Sequence, residues 1–98
     1  MSYFLSFTLS AKEDLRLLKI SSHLEKRYKA VVKSLRLLVD NPKHPGLQTH
    51  HYSSLQGPDG QKVFEAYAQQ NTPGAYRIFF YYGSDTGEII IIAITPHP

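Results

Sequence analysis

Residues 24–38 contain an apolar stripe that constrains the fold of this chain more than any other feature. Leu24, Tyr28, Val31, Leu35 and Leu38 recur at spacings of four, three, four and three residues, which is the period of one helix face. Four basic residues of the segment fall on roughly the opposite face: Lys26, Lys29, Lys33 and Arg36. The pattern predicts an amphipathic helix whose apolar face is covered by the rest of the chain.

A second helix is predicted immediately before this one. Ser10 precedes Glu13 at the spacing of a capping box, which predicts a helix from there to about residue 20. Ser22 and Glu25 repeat the spacing, so the amphipathic helix is expected to begin there and to end near residue 39, before Pro42. Because only a short break separates them, the two helices are expected to form a hairpin over a sheet.

The remaining segments carry strand patterns. Apolar and polar side chains alternate from Tyr3 to Leu9, and later strands are predicted at Lys62 to Gln69, Tyr76 to Tyr82 and Glu88 to Thr95. Turn-forming residues separate the last three. Residues 41–60, rich in Pro, Gly, His and Ser, are interpreted as a long loop. The predicted order is β-α-α-β-β-β, an α+β arrangement.

Composition limits the class of protein. The 98 residues, 42% hydrophobic and 19% charged, are typical of a single globular domain spanning residues 1–98. The longest apolar run, Ile89 to Ile94, is shorter than the roughly 20 residues that cross a bilayer. The start of the chain lacks the features of a secretory signal, and there is no cysteine for a disulfide or a thiolate metal site. We therefore expect a cytoplasmic protein that makes no contact with a membrane.

Positive charge is concentrated in the first half of the chain. Residues 1–43 contain nine Lys and Arg against four Asp and Glu, whereas residues 44–98 contain two against four. A basic surface of this kind suits contact with phosphates or acidic protein, and is equally compatible with a face that contacts only water.

Three segments of the second half form an ordered set. They are LQG at 55–57 followed by VFE at 63–65, AYRIFF at 75–80, and IIAI at 91–94 leading to His97. Together with the order of elements, they resemble the RelE/ParE superfamily of type II toxin–antitoxin toxins, and most of all its RelE-like mRNA interferase branch. The resemblance implies a helical hairpin packed on one face of a small, mainly antiparallel sheet.

The resemblance also implies a catalytic set made of Glu65, Arg77 and His97. Metal-free cleavage of RNA requires a group that takes the 2′-hydroxyl proton, a group that stabilises the phosphorane, and a group that protonates the leaving oxygen. Histidine titrates near neutral pH and arginine presents a planar fork of donors to phosphate, so these residue types suit the reaction. In the alternative interpretation, Glu65 and Arg77 are a cross-strand ion pair and His97 has no function.

Candidate RNA-binding residues lie in the strands and on the second helix. Strand alternation predicts that Glu65, Tyr67, Arg77 and Tyr81 share the face away from the helices, where Tyr67 and Tyr81 are expected to stack on bases. Four basic residues of the amphipathic helix are expected either to attract RNA phosphates or to be only its solvated face. These four are Lys26, Lys29, Lys33 and Arg36.

The segment 43–52 contains three histidines, at His44, His50 and His51. Histidine is a common zinc ligand, but cysteines and neighbouring carboxylates are missing from this segment, and adjacent histidines seldom bind the same metal. We therefore predict a polar loop with no metal, and no cofactor.

Three functions are consistent with the resemblance. The first is a metal-independent endoribonuclease that cleaves mRNA, with dependence on the ribosome, and so inhibits translation. The second is a ParE-like toxin that binds DNA gyrase and needs no catalytic residue. The third is a non-catalytic relative that only binds a partner protein. Either toxin implies a cognate antitoxin that covers part of the domain.

Overall fold

Two helices and five strands make up residues 2–70 and 72–96, the part of the chain that the computed structural model describes. Short 3₁₀ turns at Ser22–Leu24 and Pro45–Leu47 precede the second helix and the second strand. In chain order the elements are β1 (Phe4–Phe7), α1 (Leu9–Ile20), α2 (Glu25–Asp40), β2 (His50–Gln56), β3 (Lys62–Tyr67), β4 (Tyr76–Tyr82) and β5 (Glu88–Pro96).

The strands form one mixed sheet in the order β1-β5-β4-β3-β2. β1 runs parallel to β5, and the three other pairings are antiparallel. Antiparallel neighbours need only tight turns, whereas the connection between the two edge strands, β1 and β2, is carried by both helices. The predicted α+β fold, with a helical hairpin on a small and mainly antiparallel sheet, is therefore confirmed.

The hydrophobic core lies between the helices and one face of the sheet. The predicted stripe of α2 faces this core: Val31, Leu35 and Leu38 are buried, and Leu24 and Tyr28 are half-buried against them. Burial of the stripe against the sheet is what holds α2 in place, because isolated helices of this length are marginal in water. From the sheet, the buried core residues are Ala66, Ile78, Phe80, Ile89, Ile91 and Ile94.

Both predicted helix starts are wrong. α1 begins one residue before Ser10, and its cap is Thr8, whose Oγ1 accepts a hydrogen bond from the Ala11 amide at 3.1 Å. Thr8 directly follows β1 and has extended backbone, which is the geometry an N-cap requires. Ser22 lies in a 3₁₀ turn rather than capping α2, which starts at Glu25 without a side-chain cap.

A bulge in β5 shapes the core side of the sheet. Phe79 pairs with Ala93 while Phe80 pairs with Ile91, so Ile92 is the extra residue. The shift allows Ile91 and Ile94, three residues apart, to face the helices, where both are buried. Just beyond the bulge, the Ile94 amide donates to Asp14 Oδ2 at 3.0 Å, which ties β5 to α1.

The interpretation of residues 41–60 as a loop is wrong for much of its length. Leu47 is fully buried in a 3₁₀ turn, Gln48 follows with a left-handed backbone at φ 47°, and β2 then pairs with β3 through His50 and His51. β2 is an edge strand with mostly exposed side chains, so it lacks the apolar alternation that marks a half-buried strand.

Over the residues that the structure describes, neither helix is long and apolar enough to cross a bilayer.

Candidate functional site

Strands β2, β3 and β4 gather polar and aromatic side chains on the sheet face opposite the helices. His50 pairs with Glu65, and Glu65 pairs with Phe79 on the next strand, so the three lie in one row across the sheet. Tyr67 pairs with Arg77 in the following row on the same face. The predicted alternation therefore brings Glu65, Tyr67 and Arg77 together, and β2 adds His50.

Arg77 is held by contacts on several sides. Its Nη1 donates to the carbonyl oxygens of Gln69 at 3.2 Å and Ala75 at 3.4 Å. The guanidinium carbon lies 3.9 Å from the centre of the Tyr67 ring, a cation–π contact. These contacts orient the planar fork, and a fork of fixed orientation suits an oxyanion such as a phosphate.

Glu65 lies between two groups that can carry positive charge. Its Oε1 is 2.8 Å from His50 Nε2, and its Oε2 is 3.8 Å from Arg77 Nε. At 3.8 Å, Glu65 and Arg77 form an ion pair, but the distance is too long for a hydrogen bond. Arg77 Nε is buried and has no hydrogen-bond partner within the described residues. A buried donor without a hydrogen-bond partner is unusual in folded proteins, and the Glu65 carboxylate at 3.8 Å forms an ion pair with this one.

Both ring nitrogens of His50 contact acceptors. Nε2 faces the Glu65 carboxylate, and Nδ1 lies 3.0 Å from the Gln48 carbonyl oxygen. An ionised carboxylate and a carbonyl can only accept, so both contacts are hydrogen bonds when both ring nitrogens carry protons. The left-handed backbone at Gln48 brings its carbonyl to this position. These two contacts hold the imidazole beside Glu65 and fix the direction of the carboxylate.

The site is more enclosed than the sequence pattern suggests. Glu65, Arg77 and Tyr81 are 7%, 8% and 7% exposed. Rings cover this face: Tyr52 of β2 packs on Phe79 with 5.0 Å between centroids, and His50 packs on Tyr67 at 5.6 Å. The cover comes largely from β2, the strand that sequence analysis interpreted as a loop.

The predicted basic residues lie apart from this set. They are exposed on α2, and Lys29 pairs with Glu25 at 3.1 Å. α2 packs on the other face of the sheet, which separates most of its basic side chains from Arg77. Lys33 lines a cleft of about 520 Å³ that Tyr67, a residue of the site, also lines. The predicted basic residues, all exposed on α2, are Lys26, Lys29, Lys33 and Arg36.

His97, the third predicted catalytic residue, lies outside the described residues. β5 is described as far as Pro96, and Thr95 pairs with Arg77 on β4. The role of His97 therefore stays a prediction.

His50 is the member of the site that sequence reasoning missed. The sequence carries no periodic signal for it, because His50, His51 and Tyr52 are three consecutive ring side chains without alternation. The three histidines of the segment line one cleft but make different contacts: His51 packs on Phe64 at 6.1 Å, and His44 accepts from the Gly46 amide. Within the described residues, no three His, Cys, Asp or Glu side chains are grouped to hold a metal ion.

Comparison with known proteins rests on structure. No family model and no curated protein matches the sequence. The chain is similar to the YoeB/ParE toxin from Agrobacterium tumefaciens, with a TM-score of 0.70, 14% identity, and coverage of 96% of this chain and 98% of that one. It is also similar to the YoeB dimer from Staphylococcus aureus, with a TM-score of 0.67, 15% identity and full coverage of both chains.

A third similar structure is the archaeal RelE–RelB complex from Pyrococcus horikoshii OT3. The TM-score is 0.65 at 14% identity, over 98% of this chain and 96% of that one. The likeness covers every strand and both helices, and it agrees with the resemblance seen in the sequence. The fold of this protein is therefore the one found in these YoeB/ParE and RelE toxin structures.

Proposed function

We propose that this protein is the toxin of a type II toxin–antitoxin pair and cleaves messenger RNA on the ribosome. One observation carries the proposal: the Glu65 carboxylate lies between His50, at 2.8 Å, and Arg77, at 3.8 Å, on a single sheet face. The fold supports the same class, because the structures it resembles include YoeB and RelE toxins. Such a toxin acts in the cytoplasm, where ribosomes are found.

The proposed reaction is a transesterification that needs no metal. The ribose 2′-oxygen loses its proton and attacks the adjacent phosphorus, while the bond from phosphorus to the 5′-oxygen breaks. The products are a 2′,3′-cyclic phosphate and a 5′-hydroxyl end. In this proposal Glu65 takes the 2′ proton, Arg77 stabilises the charge on the phosphorane, and His97 protonates the 5′-oxygen.

The contacts of Glu65 and Arg77 favour these roles. His50 binds one carboxylate oxygen of Glu65 and leaves the other, which faces Arg77 without a hydrogen bond, able to accept a proton. Arg77 Nε, also without a hydrogen bond among the described residues, can donate to a phosphate oxygen at the same place. Acceptor and donor are thus held side by side before a substrate arrives, which lowers the cost of organising them.

The RNA itself is proposed to reach this face from the side of Tyr67. Tyr67 is half-buried and lines the cleft that Lys33 also lines. Tyr81 is almost completely buried, so we assign it to packing within this face of the sheet rather than to direct stacking on a base. The exposed basic face of α2 is proposed to contact ribosomal or messenger RNA phosphates, and consists of Lys26, Lys29, Lys33 and Arg36.

The test is incubation of the purified protein with translating ribosomes, followed by mapping of the RNA 5′ ends. We expect cleavage by the wild type and losses of about 10²- to 10⁴-fold in rate for Glu65→Gln, Arg77→Ala and His97→Ala. Arg16→Ala is the matched control, because Arg16 is an exposed arginine on α1 that pairs with Glu13. It should cleave at the wild-type rate.

Two results would contradict the proposal. The first is absence of cleavage by a folded wild-type protein. The second is unchanged cleavage by Arg77→Ala together with Glu65→Gln. Circular dichroism of each variant separates loss of activity from loss of fold.

The near-complete burial of Glu65 and Arg77 favours a second candidate function, binding of DNA gyrase without catalysis. In that case the pair is an interior ion pair that supports the sheet, and activity resides in the exposed surface. A supercoiling assay with purified gyrase separates the two candidates. Inhibition of supercoiling without RNA cleavage supports this second function, and absence of both activities identifies a relative that only binds a partner.

Either toxin requires an antitoxin, and the RelE–RelB complex among the similar structures supports such a partner. We propose that the antitoxin lays a helix or an extended segment along the sheet or the helical hairpin. Co-expression with the product of the adjacent gene should yield a stable complex and relieve growth arrest. Arrest that persists in the presence of a co-purifying neighbour would contradict the assignment of that neighbour.

A further inference from the structure

A cleft lies where the segment after α2 and the first residues of β2 meet the helix side of the sheet. It has a volume of about 760 Å³, within the roughly 300–1,000 Å³ range of small-molecule sites. Its lining comes from the residue before β1, the segment after α2, the first two residues of β2, Phe64 of β3 and the last residue of β4. We call it the tyrosine cleft, after the two tyrosines that form its floor, Tyr3 and Tyr82.

The floor of the tyrosine cleft is a set of interlocking rings. Tyr82 lies 6.2 Å from Tyr3 and 5.6 Å from Phe64 between ring centroids, and Phe64 in turn lies 6.1 Å from His51. Register places these rings on the helix side, since Phe64 pairs with the core residue Phe80. Tyr82 remains 36% exposed, which is unusual for a ring with so many aromatic neighbours. It therefore offers a surface on which a planar ring can stack.

The rim of the tyrosine cleft is basic and polar. Lys43 and His44 are exposed at the rim, followed by Gln48 and Thr49, which can donate and accept hydrogen bonds. Of the described residues that line the cleft, none is Asp or Glu. Burial, and to a lesser degree the neighbouring Tyr3, raises the pKa of the Tyr82 phenol. The phenol is thus neutral at physiological pH, and the cleft carries no negative charge from it.

A ring floor, hydrogen-bonding groups at one side and cations at the rim match the three parts of a nucleotide. We propose that the tyrosine cleft binds a nucleotide, with the base stacked on Tyr82 and the phosphate beside Lys43 and His44. An apolar peptide segment would leave the lysine and the imidazole of the rim without a partner, which is why the anionic ligand fits better. The nucleotide is either a free mononucleotide or one unit of a single-stranded RNA.

The inference does not depend on RNA cleavage at Arg77. Phe64 and Tyr82 point toward the helices, whereas Glu65 and Arg77 point away from them, and His50 belongs to both sites because it lines the cleft and contacts Glu65. Variants at Tyr82 and Lys43 leave His50, Glu65 and Arg77 unchanged, so they can fail independently of variants of the Arg77 site.

The test is titration of isotope-labelled protein, followed by NMR, with four probes: AMP, adenosine, inorganic phosphate and a short oligoadenylate. We expect AMP or the oligoadenylate to shift the amides of residues 43–51, 64 and 82, and phosphate alone to bind far more weakly. Binding of AMP identifies a free-nucleotide site, and binding of the oligoadenylate alone identifies an RNA subsite. Either result supports the proposal.

Matched variants show whether the ring and the rim charge matter. Tyr82→Leu should weaken binding by about tenfold, whereas Tyr82→Phe, which keeps the ring, should bind as the wild type does. Lys43→Gln should lower the slope of log affinity against log salt by about 1, and Lys12→Gln, an exposed lysine on α1, should not.

Three outcomes overturn the inference. They are absence of shifts at the cleft with either nucleotide probe, binding of inorganic phosphate as tight as that of AMP, and equal binding by Tyr82→Leu and the wild type. Lys43 is exposed, so its variant tests the rim without any risk to the fold. Wild-type cleavage by the cleft variants would leave the proposed nuclease standing even if nucleotide binding failed.

Discussion

Arg77 and Tyr67 face each other across β4 and β3, with the guanidinium carbon 3.9 Å from the centre of the phenol ring. The side chain of Arg77 is only 10% exposed, so much of its charge is stabilised by protein groups rather than by water. The Glu65 carboxylate, two carbonyl oxygens and the Tyr67 ring share that task. The ring is therefore a structural part of the site.

This contact leads to the first prediction. Tyr67→Leu should lower the free energy of unfolding by about 1–2 kcal/mol, because a nearly buried guanidinium loses its cation–π partner. Tyr67→Phe keeps an aromatic face and should lie within about 0.5 kcal/mol of the wild type. Urea denaturation measures both. Equal losses in the two variants would show that the ring face does not stabilise Arg77.

The second prediction concerns the turn that leads into β2. Leu47 is fully buried there, so Leu47→Ala should cost about 2–5 kcal/mol through lost burial and the cavity left behind. Leu55→Ala is the control, since Leu55 lies on β2 itself and is 42% exposed. Its effect should stay within about 0.5 kcal/mol. A mild effect at Leu47 would argue that residues 41–60 are the loop that their composition suggests.

A third prediction concerns the link between α1 and the bulged strand β5. Asp14→Ala leaves the amide of Ile94 without its acceptor at a buried position and should cost about 1–3 kcal/mol. Asp14→Asn retains a carbonyl oxygen and should lose less. Thermal unfolding measures both, with Asp40→Ala, an exposed aspartate at the end of α2, as the control. If Asp14→Ala and Asp40→Ala unfold together, the Asp14 contact contributes nothing to stability.

The fourth prediction concerns alkaline pH. The pKa of Tyr82 is raised above its ordinary value of 10.0, first by burial and then by Tyr3. Below pH 10.0 the phenol is protonated in both states, and above it the unfolded chain releases the proton first. Stability therefore falls as pH rises through the folded-state pKa, and Tyr82→Phe should not show this part of the fall.

Melting temperatures measured from about pH 8 to about pH 11 test this sign. The difference between Tyr82→Phe and the wild type should grow in favour of the variant over that range. A constant difference would show that Tyr82 titrates alike in the folded and unfolded chains. The value at the lower end of the range serves as the internal control, because the Tyr82 phenol is neutral there in both the folded and the unfolded chain.

Local periodicity predicted helix α2 and strand β4. The stripe of α2 from Leu24 to Leu38 has a helical period, and β4 was predicted at Tyr76–Tyr82, its observed bounds. Each pattern is repeated over several residues, so a single exception does not obscure it. The helix caps were predicted wrongly, because several Ser and Thr residues have suitable spacing and only the end of β1 makes Thr8 the cap of α1.

The sequence by itself determined the class of fold, the apolar face of α2, and the placing of Glu65, Tyr67 and Arg77 on one sheet face. Each of these follows from the periodic spacing of side chains within individual helices and strands. Only the tertiary structure decided that β2 is a strand and that His50 binds Glu65, because the stability of an exposed edge strand comes from pairing with β3 and not from its own composition. The burial of Glu65 and Arg77 follows from the same pairing, since β2 brings the rings that cover them.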